Sequence, residues 1–258
     1  MKKKPFHWEE TNIWGMKELT ILLLIEFIVV IGCIKFVLSP LLMHLFKNEL
    51  YAGVFTGVLM AFVLIGSTYI IALRPKSLSW MELGVTPFNK GAWKMILLST
   101  LTVIIGVIII TIVTSLLGGT WENEKTDALE QHISVSSFLI AFISAAIISP
   151  IYEEVFYRGF LFRWFRTRTN FITASLCSSI IFSIAHIPTY NVVPVACFTG
   201  FVFAYVYEKT DSIWPSVFVH SLSNGIMLLL TISWPTLGTL LFHIRLIKLW
   251  STLNTAKQ

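Results

Sequence analysis

The sequence predicts an all-α fold, a polytopic membrane helical bundle of about eight transmembrane helices. Its 258 residues are 55% hydrophobic and 13% charged, and their mean hydropathy is +0.77. A soluble domain carries about twice that share of charged residues. Apolar runs long enough to cross a bilayer, roughly 20 residues each, recur along the whole sequence. These features exclude a soluble globular protein, and no polar block is long enough for a separate soluble domain.

Eight apolar segments are candidates for spanning helices. The fifth and sixth are short, and the eighth carries three basic side chains, so it either spans the bilayer or lies on its surface. The segments cover residues 19–46, 51–73, 93–117, 136–162, 171–187, 191–207, 212–232 and 235–250.

Loop charge predicts how these spans are oriented. Basic residues occur at 2–4, at 74–94 and at 163–168, which fall on one side of the membrane if every segment crosses it. The loop at 119–133 is mainly acidic and falls on the other side. Because cytoplasmic loops are enriched in lysine and arginine, we expect a multi-pass protein of the cell membrane with both termini cytoplasmic. The same distribution accounts for the net charge of +5 without nucleic acid as a partner.

Two polar features precede the region of greatest interest. The stretch 75–92 is too polar to span, and we expect an interfacial elbow anchored by Trp80 and Trp93. Glu26 and Lys35 lie in the first span, about 13 Å apart along a helix, so they cannot pair directly. We expect Lys35 to extend its ammonium toward the interface and Glu26 to find a partner on another helix, both in structural roles.

The fourth span contains the pattern E-E-x-x-x-R. Glu154 and Arg158 are i and i+4, so they share a helix face and can form an ion pair. Glu153 is rotated by about 100° from Glu154, so it can point toward a different helix. Ionisable groups inside a membrane mark functional sites by default, and a carboxylate in such a pocket can act as a general base. The alternative is a buried ion-pair network with a structural role only.

Two further polar motifs follow. His186 lies one helical turn after Phe182 and on the same helix face. A lone histidine in a helix is more often a core residue than a catalyst. His220 and Asn224 are i and i+4, so they could donate to an oxyanion, contribute a metal ligand, or hydrogen-bond between helices. Counting residues along the spans puts Glu153 and His186 at different depths in the membrane. If the two residues share a catalytic site, either the helices are strongly tilted or the fifth helix starts later than predicted.

In order and spacing these motifs resemble the CAAX protease and bacteriocin-processing family of intramembrane metalloproteases, also called the CPBP or Abi family. The family pattern is E-E-x-x-x-R, then F-x-x-x-H, then H-x-x-x-N or H-x-x-x-D. Here it reads E-E-V-F-Y-R from Glu153, F-S-I-A-H from Phe182 and H-S-L-S-N from His220. The resemblance covers about residues 135–230.

The resemblance implies an endopeptidase that cleaves membrane-associated peptides or proteins with water. Glu153 and His186 would activate the water, and His220 and Asn224 would stabilise the oxyanion. Glu154 and Arg158 would support and orient the base, and Phe182 would support the site. The chain would then comprise N-terminal spans and the elbow (1–134), a catalytic helical core (135–232), and a C-terminal helix and tail (233–258).

Cofactor and partners follow from the same reasoning. No metal is required by the residues, and metal-free water activation is slightly favoured because H-E-x-x-H is absent. A divalent metal such as zinc is the alternative, held by Glu153, His186 and His220. The expected partners are a membrane-embedded or lipidated peptide or protein substrate and the lipid bilayer.

Two other classes of protein use similar residues. One is a noncatalytic membrane scaffold or immunity and regulatory protein of the same fold. The other is a proton-coupled transporter, which also places acids and histidines in the membrane, although the sequence has no inverted repeat.

Overall fold

The computed structural model describes residues 13–118 and 134–230, and within them it forms α-helices, short connections and no β-strand. Six of the seven helices in these described ranges are long and apolar enough to cross a membrane, and α5 is shorter. The helices are α1 (Met16–Phe46), α2 (Glu49–Lys76), α3 (Ala92–Leu116), α4 (Val135–Arg166), α5 (Phe171–Ile184), α6 (Tyr190–Thr210) and α7 (Ile213–Leu230).

The predicted all-α membrane bundle is therefore confirmed, and the chain is a membrane protein. The predicted number of eight spans is not confirmed. The candidate fifth span has only 14 residues in helix, and the candidate eighth span at 235–250 lies outside the described residues, as do both termini.

Polar residues at the helix ends explain where several helices begin and end. Asn48, Ser134 and Asn170 precede α2, α4 and α5, and each side chain accepts a hydrogen bond from a backbone N–H in the first turn. Such caps satisfy N–H groups that the helix itself leaves unpaired. Lys47 and Asp211 adopt left-handed backbone conformations, with φ of 49° and 51°, and so end α1 and α6.

The segment Glu154–Phe162 of α4 lies in the interior of the bundle. It is buried at every residue, including three phenylalanines whose rings join the largest hydrophobic core. The first half of α4 and the outer faces of other spans instead expose large apolar side chains such as Leu139, Phe62 and Leu97. A helical segment that is buried all round has no lipid-facing stripe, so the polar residues of Glu154–Phe162 face protein.

The end of α4 corrects the expected difference in depth between Glu153 and His186. Helix α4 continues to Arg166, four residues beyond the predicted end. Glu153 therefore lies about 20 Å before the end of α4, and His186 about 22 Å beyond the start of α5 at Phe171. The two helices are antiparallel and joined by a short loop, so the residues lie at similar depths. The fifth helix starts where it was predicted, and no strong tilt is needed.

The elbow packs against the ends of α4, α6 and α7. A single turn at Trp80–Leu83 ends at Gly84, whose φ is +80°. Arg163 donates to Glu82 at 3.2 Å, and Ile213 N–H donates to the Gly84 carbonyl at 2.9 Å. The elbow thus closes one end of the bundle around the helices that carry the motifs; its depth in the membrane stays a prediction.

Glu26 and Lys35 of α1 bind to other helices. The Tyr157 hydroxyl donates to Glu26 at 2.6 Å, so the prediction that Glu26 has a partner on another helix is confirmed. The Lys35 ammonium donates to the Ala185 carbonyl at 3.0 Å. This carbonyl lies at the end of α5, and the expectation that Lys35 extends toward the interface stays a prediction.

Candidate active site

The motif residues of α4, α5 and α7 surround the buried side chain of Phe182. The ring centroid of Phe182 lies 4.8 Å from that of His186 and 6.3 Å from that of His220. The Arg158 guanidinium carbon lies 4.6 Å from the same centroid. The Phe182 ring therefore lies against the side chains of His186, His220 and Arg158.

Glu154 joins α4 to α7 through a buried carboxylate that is 0% exposed. Its Oε1 atom accepts from Nη1 of Arg158 at 2.9 Å, which confirms the predicted i,i+4 ion pair. Nδ1 of His220 lies 3.0 Å from the same oxygen. Because an ionised carboxylate can only accept, Nδ1 carries the proton, and Glu154 fixes the tautomer and orientation of His220.

Arg158 contacts residues of α4, α5 and α6, although its Nε atom has no hydrogen-bond partner among the described residues. Its Nη2 atom donates to the Gly200 carbonyl at 3.1 Å, and its guanidinium lies against the rings of Phe182 and Phe203. The Phe203 ring also stacks on His220 at 4.5 Å. Aromatic faces attract cations, so these rings help α6 to retain the guanidinium inside the bundle.

Glu153 has a different environment from its neighbour. Its side chain is 14% exposed, and Oε2 lies 3.8 Å from Nε2 of His220. The other oxygen, Oε1, accepts a short hydrogen bond from the Ser149 hydroxyl one turn earlier. As the sequence predicted, the tandem acids diverge: Glu154 is held by Arg158, and Glu153 points toward a different helix.

His186 lies in the turn that follows α5 and is half-buried. Its Nδ1 atom is 2.9 Å from the Phe182 carbonyl oxygen. Since a carbonyl only accepts, Nδ1 donates there, and in the neutral form of the ring Nε2 is the acceptor. The backbone of α5 therefore fixes the tautomer that a proton-accepting histidine needs.

Asn224 is tied to the backbone of α4. Its Nδ2 atom donates to the Ala145 carbonyl at 2.9 Å, a residue two helical turns before Glu153. This bond uses one of the two N–H groups of the amide. The structure thus uses Asn224 to fasten α7 to α4, a contact that the sequence did not predict.

A metal site does not form from the predicted ligands. In the parts of the chain that the structure describes, no group of three or more His, Cys, Asp or Glu side chains is arranged to hold a metal ion. Nδ1 of His220 is bonded to Glu154 and Nδ1 of His186 to a backbone carbonyl, which leaves only the Nε2 atoms of these rings as possible ligands. Glu153, His186 and His220 are not gathered around one metal position in this arrangement.

Four residues that shape the site were not predicted from the sequence. Ser149 lies four residues before Glu153, so helical spacing alone would have found it. Ala145, Gly200 and Phe203 contact Asn224, Arg158 and His220. No motif includes these three, and their contacts depend on how the helices pack.

Comparison with known proteins finds similarity in the part of the chain that contains the motifs. Residues 135–226, from the start of α4 into α7, match the family described as type II CAAX prenyl endopeptidase Rce1-like. The chain is also 33% identical over 109 residues to "Putative membrane peptidase YdiL" of Bacillus subtilis (strain 168). That match covers 42% of this chain and 43% of the relative, so it spans less than half of the relative's length. No solved structure is significantly similar to the chain.

The matched residues include the whole of the E-E-x-x-x-R, F-x-x-x-H and H-x-x-x-N patterns, and α4, α5 and α7 bring these patterns around one buried ring. Residues 135–226 are therefore similar to the CAAX prenyl endopeptidase family, in agreement with the resemblance of their motifs, and the chain that contains them is a membrane protein.

Proposed function

We propose that the protein is an intramembrane endopeptidase that hydrolyses a peptide bond of a membrane-associated peptide or protein. The position of His220 is the observation that carries the proposal. Its Nδ1 is bonded to Glu154, and its Nε2 lies 3.8 Å from Oε2 of Glu153. That separation exceeds a hydrogen bond, and a single water molecule can hydrogen-bond to both atoms.

Glu153 is the proposed general base. It takes one proton from the water, whose oxygen attacks the carbonyl carbon of the scissile bond, so that a C–O bond forms and the carbonyl electron pair moves to oxygen. His186 presents Nε2 to the second O–H of the water and orients it. The C–N bond then breaks, and the leaving nitrogen receives the proton held by Glu153. Water thereby supplies the hydroxyl of the new acid and the proton of the new amine.

His220 and Asn224 are the proposed oxyanion donors. With Nδ1 committed to Glu154, His220 donates from Nε2 when its ring is protonated, and the two nearby carboxylates balance the charge of that imidazolium. Asn224 contributes the N–H that Ala145 does not use. Buried donors oriented in advance at such a position lower the barrier because they need no rearrangement as charge develops.

Glu154 and Arg158 have a more specific role than the sequence predicted. The resemblance implies that they orient the base, whereas their contacts orient His220. The proposed role of the buried Glu154–Arg158 pair is therefore to orient His220, one of the two oxyanion donors.

The proposed substrate is a peptide that reaches the site from the bilayer or carries a lipid, as the CAAX endopeptidase description of the matched family suggests. Large apolar side chains on the outer faces of the spans support a bundle surrounded by lipid. The proposed location is the cell membrane with cytoplasmic termini, and nucleic acid is not a partner.

Comparative peptidomics tests this function without a chosen substrate. Membranes of cells that express the wild-type chain are compared with membranes of cells that express Glu153→Ala at equal abundance. We expect peptides with new termini only in the wild-type membranes. Glu49→Ala, an exposed acid at the start of α2, is the matched control. Identical peptide sets from all three would refute the protease proposal.

A further inference from the structure

Two ionisable residues of α1 have no part in the proposed mechanism. Glu26 and Lys35 lie outside the family match at 135–226, yet each contacts a helix that carries motif residues. Glu26 is 1% exposed, and burying a carboxylate destabilises a fold unless its partners compensate.

Glu26 binds within the E-E-x-x-x-R segment. Its Oε1 accepts from the Tyr157 hydroxyl at 2.6 Å, while Oε2 is buried without a hydrogen-bond partner among the described residues. Tyr157 is one turn beyond Glu153, and its ring lies edge-on to Phe182 at 4.8 Å. The bond from Tyr157 to Glu26 thus fixes the tyrosine ring against the phenyl ring around which both histidines are placed.

Lys35 binds at the other side of the site. Its ammonium donates to the Ala185 carbonyl at 3.0 Å, where α5 ends and one residue before His186. The last carbonyls of a helix lack intrahelical partners and attract cations. Lys35 therefore caps α5 and holds the peptide group that leads into His186.

We infer that α1 positions the catalytic helices, with Glu26 acting through Tyr157 and Phe182 and Lys35 acting through the Ala185–His186 peptide. Both are positioning residues, since neither contact is to a reacting atom. Nine residues separate them on one helix, so α1 holds α4 and the end of α5 at a set distance. The expected effect on catalysis rests on the proposed function. The positioning of α4 and of the end of α5 by α1 rests on the contacts alone.

Kinetic constants of α1 variants test the catalytic consequence. The probe is an internally quenched, prenylated CAAX peptide in liposomes. Glu26→Leu and Lys35→Met are expected to lower kcat by about 10- to 100-fold, because small displacements of catalytic groups have effects of that size. KM stays within about twofold, since no substrate contact is lost. Glu26→Gln keeps an oxygen that accepts from Tyr157 and is expected to restore most of kcat.

Ile28→Ala is the matched control, because Ile28 lies on the same helix and is 57% exposed. Its kcat should equal that of the wild type. If Glu26→Leu and Lys35→Met also keep wild-type kcat per folded molecule while Glu153→Gln is inactive, the inference is wrong and the protease proposal stands.

Hydrogen exchange gives a readout that does not need cleavage. Lys35→Met is expected to speed amide exchange in residues 183–190 by about tenfold, as a weakened helix end opens more often, and Ile28→Ala is expected to leave it unchanged. Unchanged exchange in Lys35→Met overturns the anchoring of α5 whatever the kinetics. If the wild type cleaves no peptide, the proposed function fails, and exchange alone decides whether Lys35 positions this segment.

Discussion

Nδ1 of His220 lies 3.0 Å from Oε1 of Glu154, although 66 positions separate the two residues. This contact gives the tandem acids different partners. Glu154 is committed to Arg158 and His220 in the interior, whereas Glu153 accepts from Ser149 and remains partly accessible. Of the two acids we expect only Glu153 to meet a water molecule, and their different environments follow from the helix face that each occupies.

Replacing Glu153 by glutamine should abolish cleavage and leave the fold intact. The amide oxygen still accepts from Ser149, but the side chain can no longer take a proton. We expect peptide cleavage in liposomes to fall by at least about 100-fold, the usual contribution of a general base, with Tm within a few degrees of wild type. Glu49→Gln is the matched control; equal loss in both variants would point to a general charge effect.

Arg158→Leu should be strongly destabilised. The substitution leaves the Glu154 carboxylate buried with one cationic partner fewer, which costs about 3–5 kcal/mol. We expect poor accumulation and a lower Tm in detergent, and we expect Glu154→Leu in the same chain to restore part of the stability without activity. Arg74→Leu, an exposed arginine, is the control. Normal accumulation of Arg158→Leu would contradict the ion-pair role.

Gly200→Ala tests the close packing around Arg158. An added Cβ would lie 3.2 Å from Nη2 of Arg158 and 3.0 Å from the Ser179 side chain. Overpacking of this kind costs about 1–3 kcal/mol, so we expect a lower Tm and reduced activity. A Cβ at Gly66 would meet no described atom within 4 Å, so Gly66→Ala should be neutral or stabilising in its helix. Equal Tm values for the two variants would show that α6 does not pack as described.

Glu154→Gln separates orientation of His220 from water activation. An amide that turns its N–H₂ toward Nδ1 no longer fixes the tautomer, a change that lowers kcat by up to about 10⁴-fold in an analogous acid–histidine pair. We expect kcat to fall while KM changes little. Nitrogen NMR of the imidazole should show an Nδ1 atom that is fully protonated in the wild type and only partly protonated in the variant. A wild-type spectrum in Glu154→Gln would remove this role.

Complementation distinguishes a protease from a noncatalytic scaffold of the same fold. The double variant Glu153→Ala with His186→Ala removes two proposed proton acceptors without touching the buried Glu154–Arg158 pair. We expect it to accumulate normally and to fail to restore the phenotype of a deletion strain. Full restoration would favour the scaffold, and loss of ion flux in liposomes with cleavage retained would favour a transporter.

Most span boundaries could be predicted because a bilayer demands about 20 apolar residues. The end of α4 could not, since Arg163 and Arg166 look like loop charges in the sequence. Arg163 is paired with Glu82, and Arg166 with Glu208. These ion pairs let the helix continue beyond its apolar run, and they form only when the elbow and α6 are in place.

The site could be predicted only in part, because the sequence reveals contacts within a helix more readily than contacts between helices. Contacts within one helix, such as Glu154 with Arg158, follow from i,i+4 spacing. Contacts between helices do not, so the sequence did not reveal that His220 binds Glu154, that Phe203 stacks on His220, or that Glu26 binds Tyr157.

Incorporation of heavy oxygen tests the central claim most directly. The purified protein in liposomes is given a membrane peptide in H₂¹⁸O, and the products are analysed by mass spectrometry. The account predicts one ¹⁸O atom in the new terminal carboxylate with the wild type and no product with Glu153→Gln. Cleavage by Glu153→Gln at the wild-type rate, or a wild-type product without ¹⁸O, would contradict it.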